Sequence, residues 1–331
     1  MTQKNVQRLR LAVQAGFLFF SLYLGAQFYR FVLHFRSGGA TPLVARPDGV
    51  EAFLPISGLV SLKGWLASGE INSIHPAAMV IFLSIVAVSL LLKRSFCSWI
   101  CPVATLGEYS WKCGERGLGR TFTPPRWLDI VLRGLKYLLL VFFLYIVVLG
   151  MPGEQVAAFI ASDYNKIADV KMLDFFLNLS GTGLVVVLVL VGLSFFLKNP
   201  FCRYVCPYGA LLGLVSYLSP VKVERSASSC VSCGACTKAC PSAIDVMHKG
   251  RVHSEECIGC LRCVSSCPVP EALQLRGCGG KSVIGGRAFA VMVVALFVGG
   301  TLIGRITGHW HSSIGVEEYR RLIDIASFLS H

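Results

Sequence analysis

Eight of the 14 cysteines stand in two copies of one frame. "CVSCGACTKACP" occupies 230–241 and "CIGCLRCVSSCP" occupies 257–268, each reading C-x2-C-x2-C-x3-C-P. Three thiolates on a tight loop bind three irons of a cubane, and the fourth, carried off on the next helix, ligates the other cluster. One [4Fe–4S] centre then rests on Cys230, Cys233, Cys236 and Cys267, and a second on Cys257, Cys260, Cys263 and Cys240. Structural zinc also uses C-x2-C pairs, but it has no use for a repeated frame that ends in proline. The pair therefore reads as two cubanes held close together, a short wire with no substrate pocket of its own.

Four more cysteines form a second repeat. "FCSWICPVATLG" (96–107) and "FCRYVCPYGALL" (201–212) lie 105 residues apart and share Phe96/Phe201, Cys97/Cys202, Cys101/Cys206, Pro102/Pro207 and Leu106/Leu211. On a helix, cysteines at i and i+4 share one face with Cβ atoms about 5–6 Å apart. Two thiolates alone satisfy neither a tetrahedral metal nor a cluster. A pseudo-two-fold repeat supplies the missing half, so Cys97, Cys101, Cys202 and Cys206 are expected to converge. Four thiolates suit a [2Fe–2S] or [4Fe–4S] centre, or a soft metal such as Cu(I). Buried thiols behaving as small hydrophobes, or a redox-active dithiol, are the alternatives. Cys113 and Cys278 have no spaced partner and read as bystander thiols.

The elements that position these cysteines are apolar. Of 331 residues, 54% are hydrophobic and 15% charged, and mean hydropathy is +0.64. Five stretches lack Asp, Glu, Lys and Arg: 11–29, 71–92, 137–153, 175–197 and 288–304. Each approaches the ~20 residues of a spanning helix. Met1–Arg10 has the look of a signal-peptide start, but apolar sequence continues through "FYRFVLHF" without a small-residue cleavage site, so an uncleaved first helix is expected. With the N-terminus inside, segments 1–10, 93–136 and 198–287 carry 22 Lys/Arg against 8 Asp/Glu, and the other side carries 9 against 10. The net charge of +13 thus lies on one side and reads as membrane orientation, not nucleic-acid binding. All 14 cysteines fall on that inner side, as a reducing cytosol favours.

The expected fold is an all-α polytopic membrane protein: five transmembrane helices, a two-fold repeated helix pair, and an inserted cytosolic two-[4Fe–4S] ferredoxin-like α+β domain. Its segments are a first helix at 1–35, an outer-face loop at 36–70, and the first repeat at 71–153. An outer loop at 154–174 and the second repeat's helix at 175–221 follow. The ferredoxin-like domain takes 222–281, the fifth helix 282–308, and an outer-face tail 309–331. The insert carries 8 Lys/Arg against 5 Asp/Glu, which suits an acidic soluble donor or anionic headgroups, or continues the inner-side bias.

The paired F-C-x3-C-P motifs and the twin cysteine frames resemble the membrane iron–sulfur proteins of the NapH/NosR type, quinol-dehydrogenase-like subunits that feed periplasmic reductases. "RPDGVEAFLPISGLVSLKGWL" (46–66) and the stretch 75–102 are similar to the YccM-like electron-transport branch. A fifth span and an outer tail depart from the NapH pattern. The resemblance implies a bacterial inner-membrane, multi-pass electron carrier or quinol-dehydrogenase-like subunit, not a stand-alone enzyme. Its clusters would link the quinone pool or a soluble ferredoxin- or flavodoxin-type donor to an outer-face redox protein, with lipid around it. A different reading is a copper-handling assembly factor similar to CcoG-type proteins. Crossing roughly 30 Å of hydrocarbon calls for a further carrier, and His34, His75, His309 and His311 at outer ends of spans are candidates for a quinone or haem site. Interfacial His and Trp310 are also ordinary membrane-surface residues. Glu108 reads as a proton acceptor for quinol or as a capping, solvated glutamate. No Walker motif, G-x-G-x-x-G or nucleophile–base set appears, which leaves hydrolase and nucleotide-binding readings without support.

Overall fold

Prolines open three helices next to the cysteine motifs, at Pro76, Pro102 and Pro207, because a missing N–H and a fixed φ cost nothing at the first helical position. A computed structural model of the chain describes residues 3–269, 271–277, 280 and 282–326, so Cys278 lies outside the described residues. The first helix, α1, is Gln3–Arg36. It is followed by α2 (Pro55–Ser68), α3 (Pro76–Leu92), the single turn α4 (Phe96–Trp99) and α5 (Pro102–Leu118). Then come α6 (Arg126–Leu144), α7 (Gly153–Ala161), α8 (Asp163–Lys166), α9 (Ala168–Leu177), α10 (Gly181–Phe196) and α11 (Pro207–Tyr217). The insert supplies β1 (Lys222–Arg225), α12 (Ala235–Ala239), α13 (Arg262–Ser266) and β2 (Leu273–Arg276). The chain continues with α14 (Gly286–Ile306) and α15 (Val316–Asp324).

Among the described residues, three helices are long and apolar enough to cross a membrane: Asn5–Arg36, Arg126–Gly150 and Gly286–Ile306. A fourth arises if α9 and α10, which meet at a 77° bend, count as one span. The five apolar stretches of the sequence therefore do not all become full-length helices. Residues 71–75 stay outside α3, where the Asn72 side chain accepts from the Ile74 N–H at 2.8 Å, leaving a helix of 17 residues. Stretch 175–197 breaks at Asn178–Ser180, where Ser180 instead caps Gly183 N at 3.1 Å. The segments 36–70 and 154–174, expected as loops, contain α2, α7, α8 and α9.

The chain forms two compact units. The first comprises 1–18, 85–141 and 187–296 and contains every described cysteine. Within it β1 pairs antiparallel with β2, Lys222 opposite Arg276 and Arg225 opposite Leu273, closing the insert between α11 and α14. Trp99 is fully buried there. Its indole N–H donates to the Gly259 carbonyl at 3.1 Å, and its ring meets Phe289 edge-on at 5.9 Å. Helices α5 and α10 approach so closely that a Cβ on Gly114 would stand 1.9 Å from the Phe195 carbonyl oxygen.

The second unit comprises 19–84, 142–186 and 297–331. Phe28, Phe31, Val32 and Phe35 of α1 pack there with Val170 of α9 and with Tyr319 and Leu322 of α15. A π-helical turn, Tyr145–Gly150, ends α6. Lys63 answers the carbonyls freed at that end, donating to Val147 (2.9 Å), Val148 (2.8 Å) and Met151.

Candidate functional site

The twin cysteine frames fold as two copies of one loop. Ser232 and Gly234 in the first, Gly259 and Leu261 in the second, all take positive φ. That winding turns successive N–H groups inward, the concave backbone that anions and iron–sulfur sites occupy. The last cysteine of each frame, Cys240 or Cys267, ends its short helix in extended conformation and leaves the loop. One cavity is lined by Cys257, Cys260, Cys263 and Cys240; another by Cys230, Cys233, Cys236 and Cys267. The crossed fourth cysteine thus stands with the opposite frame in both cases. Burial pushes the Cys240 thiol up to about 12, and Cys260 and Cys257 add to the rise. Thiols in such company ionise together only when a cation is present to hold them. The donor set fits a cubane at each cavity.

The C-x3-C pairs depart from the expected geometry. Neither lies along one helix. Cys97 sits in the α4 turn and Cys202 in a π-helical turn, Phe201–Val205. Cys101 and Cys206 are the extended residues that cap α5 and α11, each followed by proline. The two repeats close alike, Cys101 N–H donating to Phe96 O at 3.0 Å and Cys206 N–H to Phe201 O at 2.9 Å. A five-residue back-bond of this kind marks a π-bulge, a feature common at functional sites. Burial pushes the Cys202 thiol up, and Cys206, Cys101 and Cys97 add to the rise; Cys97 and Cys202 line one cavity. Burial raises Cys97 to about 12 against the pull of Arg94, and raises Cys101 to about 11. Among the described residues, no three His, Cys, Asp or Glu side chains are gathered as around one ion. Cluster ligands stand wider, since each thiolate holds a different iron. Cys113 is exposed and lines neither of the cluster cavities.

Charged side chains are buried around these cysteines, which the sequence reading missed. Arg94, Arg203, Lys198 and Glu256 line one cavity with Cys97 and Cys202. Lys136 Nζ binds Glu256 Oε1 at 2.5 Å. Arg203 pairs with Asp129 at 2.7 Å, and the Tyr204 hydroxyl donates to Asp129 at 2.8 Å. Arg94, Arg203 and Glu256 carried one signal in the sequence, charge close to a cysteine motif; Asp129 and Lys136 carried none.

Glu108 is neither a free proton acceptor nor a solvated cap. It is 4% exposed and held by Arg10 at 2.5 and 2.7 Å, Lys112 at 2.7 Å and Gln14 at 3.1 Å. Burial opposes its ionisation, but the Arg10 guanidinium and Lys112 ammonium hold its carboxyl down at about 2. The stabilisation is complete above the ordinary value of 4.5 and is lost only as pH falls toward 2. Arg10→Met leaves this carboxylate buried without its principal partner, at an expected cost of about 3–5 kcal/mol. Thermal melting followed by iron–sulfur absorbance measures it. The Arg10→Met, Glu108→Gln double variant should recover part of the loss, and an unshifted single variant would contradict the assignment.

The four histidines lie in the second unit, each with hydrogen-bond partners of its own. His34 Nδ1 engages the Thr41 carbonyl, and His309 Nδ1 contacts Thr307 Oγ1 at 3.1 Å. His75 is fully buried, with Glu51 at 3.1 Å on one ring nitrogen and the Asn165 carbonyl at 2.6 Å on the other. His311 is exposed and contacts Asp48 at 2.8 Å. It stands at a cavity of about 420 Å³ lined also by Phe31, Leu43, Arg46, Asp48 and Tyr319. Arg46 joins this rim to the interior, binding Asp48 (3.4 Å), Glu51 (3.0 Å) and Asp169 (2.7 Å).

Comparison with known proteins adds to this geometry. A 4Fe-4S binding domain family matches residues 74–121 and again 179–226, so one family covers each C-x3-C copy. A 4Fe-4S dicluster domain family matches residues 222–268. YccM of Escherichia coli (strain K12), a protein named for electron transport, is 43% identical over 335 residues, 99% of this chain and 93% of its own. NirI of Paracoccus denitrificans (strain Pd 1222) is 31% identical over 226 residues, 66% of this chain and 32% of its own. The methylamine utilization ferredoxin-type protein MauN of the same organism is 32% identical over 151 residues, 45% of this chain and 48% of its own. No solved structure matches the chain.

Proposed function

Because the chain belongs to the YccM-like family of electron transport proteins, we propose that it relays single electrons through two [4Fe–4S] clusters in the insert to a third iron–sulfur centre at the C-x3-C pairs. The observation that carries this reading is one cavity. Cys97 and Cys202 line it with Pro241 and Ser242, which follow Cys240, and with Glu256 and Ile258, which flank Cys257. A third centre would therefore stand beside the second cubane, in series with it. Cluster one is the exposed end of the series: Cys233 and its neighbour Val231 are open to solvent. A soluble ferredoxin- or flavodoxin-type donor meets the chain there.

The five-span arrangement, in a bacterial inner membrane with the insert cytosolic, belongs to this proposal. Helices α1, α6 and α14, long and apolar enough to cross a membrane, and the bent α9–α10 pair support it. The excess of basic residues on the cysteine-bearing side supports the orientation. At 1.5 Å per residue the 17 residues of α3 reach about 26 Å, short of the ~30 Å core by an amount that local thinning absorbs. Onward transfer to an outer-face redox protein needs a further carrier across the ~30 Å core, and a quinone, which takes two successive electrons and two protons, would serve. The cavity that bears the His311–Asp48 pair would hold its head group, with that pair passing protons to the reduced quinone.

Sealed vesicles test the reading. A reduced soluble ferredoxin, which cannot cross lipid, is expected to reduce the clusters in inverted vesicles and to leave them oxidised in right-side-out vesicles until detergent is added. Equal reduction from the periplasmic side would overturn the orientation.

A further inference from the structure

We propose that Arg94 is a positioning residue that raises the reduction potential of the centre at Cys97, Cys101, Cys202 and Cys206, making that centre the electron acceptor of the insert. The inference rests on reading those four cysteines as a centre.

Arg94 is only 3% exposed, two residues past the end of α3 and three before Cys97. Its guanidinium is anchored by the second repeat: Nη1 donates to the Gly209 carbonyl at 2.9 Å, three residues beyond Cys206. Nη2 stands 3.8 Å from Glu256 Oε2. Nε is buried without a hydrogen-bond partner. Arg94 lines the cavity beside Cys97 and Cys202, and its charge reaches Cys97, Cys202 and Cys206. A buried N–H with nothing to bind is costly, so its persistence at a cavity with Cys97 and Cys202 points to an anionic occupant there.

The local charges lean the same way. Glu256 is shared between Arg94 and Lys136, at 3.8 and 2.5 Å. Two buried cations against one carboxylate leave an excess of positive charge, which four thiolates would answer. An iron–sulfur centre on four thiolates is anionic and becomes more so on accepting an electron, so net charge, hydrogen bonding and exposure set its potential. Burial alone works against reduction, because the reduced form carries more charge. A fixed guanidinium in the same dry site works for it, and the interaction strengthens as the effective dielectric falls. At the exposed edge of cluster one, water and salt screen any comparable charge.

The electron balance is simple. One electron arrives from the soluble iron–sulfur or flavin donor and reduces a cluster of the insert. That cluster is reoxidised as the same electron passes to the C-x3-C centre, with no bond made or broken and no proton required. Arg94 sets the downhill sense of the second step.

EPR-monitored redox titration of the anaerobically purified full chain tests this. Arg94→Gln should lower the midpoint potential of the C-x3-C centre and leave the Cys230 cluster unchanged. Glu256→Gln, which removes the opposing carboxylate, should raise it, and Arg94→Lys should restore most of the parent value. An intact centre with an unmoved potential in Arg94→Gln overturns the proposal. Where Arg94→Gln fails to assemble the centre, Glu256→Gln decides by the same readout, and no upward shift overturns it. A parent protein with no third signal removes the underlying reading instead, a result distinct from both.

Discussion

Cys240→Ser extinguishes the second cluster and spares the first, although Cys240 belongs to the first cysteine run. The expectation follows from where the chain takes that residue. Cys230, Cys233 and Cys236 stay on the loop wound by Ser232 and Gly234, while Cys240 leaves α12 in extended conformation. It then lines the cavity of Cys257, Cys260 and Cys263, together with Ile244 and Val246. Serine is a poor iron ligand in a thiolate set, so the site retains three good donors where a stable cubane requires four. The effect should be large: about 4 irons lost per chain of the 8 that two cubanes hold, with the cluster-one EPR signal retained. Cys267→Ser should give the mirror result, because Cys267 stands with Cys230, Cys233 and Cys236. Loss confined to the mutated run's own cluster would refute the crossed ligation in either variant.

The parts of this site that were legible in the sequence are those fixed by local spacing. The x2-x2-x3-Pro frames place three thiols on one turn and send the fourth away, and the structure groups them in that pattern. The 105-residue repeat was legible for the same reason, and one family matches both copies. The shape of each C-x3-C was misread as a helix face. The corrective signal was present: Pro102 and Pro207 belong at first helical positions, which makes the preceding cysteine a cap, not a helical residue. What no local pattern carries is pairing across long separations. Lys136 meets Glu256 over 120 residues, and Arg10 meets Glu108 over 98. Such pairs are chosen by tertiary packing among many charges, and only the burial of both ends distinguishes them from solvated residues. Span lengths failed for a related reason. Hydropathy saw 71–92 and 175–197 as continuous, while Asn72 and Ser180 bind nearby backbone N–H groups and start the helices later. The outer segments read as loops because their helices α2, α7 and α9 are short and were masked by intervening Gly, Pro and Ser.

The central claim is that Cys97, Cys101, Cys202 and Cys206 hold an iron–sulfur centre in series with the two cubanes. Iron, acid-labile sulfide and copper counted per chain in anaerobically purified parent and Cys202→Ser protein test it most directly. Cys202 lines, with Cys97, a cavity that Pro241, Ser242, Glu256 and Ile258 of the insert also line. Its loss leaves three ligands and should empty the centre, while the insert, folded on its own β1–β2 pair and cysteine loops, keeps its clusters. The parent should hold more iron than the roughly 8 atoms of two [4Fe–4S] cubanes. Cys202→Ser should fall back to about that number with the insert's EPR signals intact, and Cys113→Ser should match the parent. Equal iron in parent and Cys202→Ser, or stoichiometric copper that the variant alone loses, would contradict the claim.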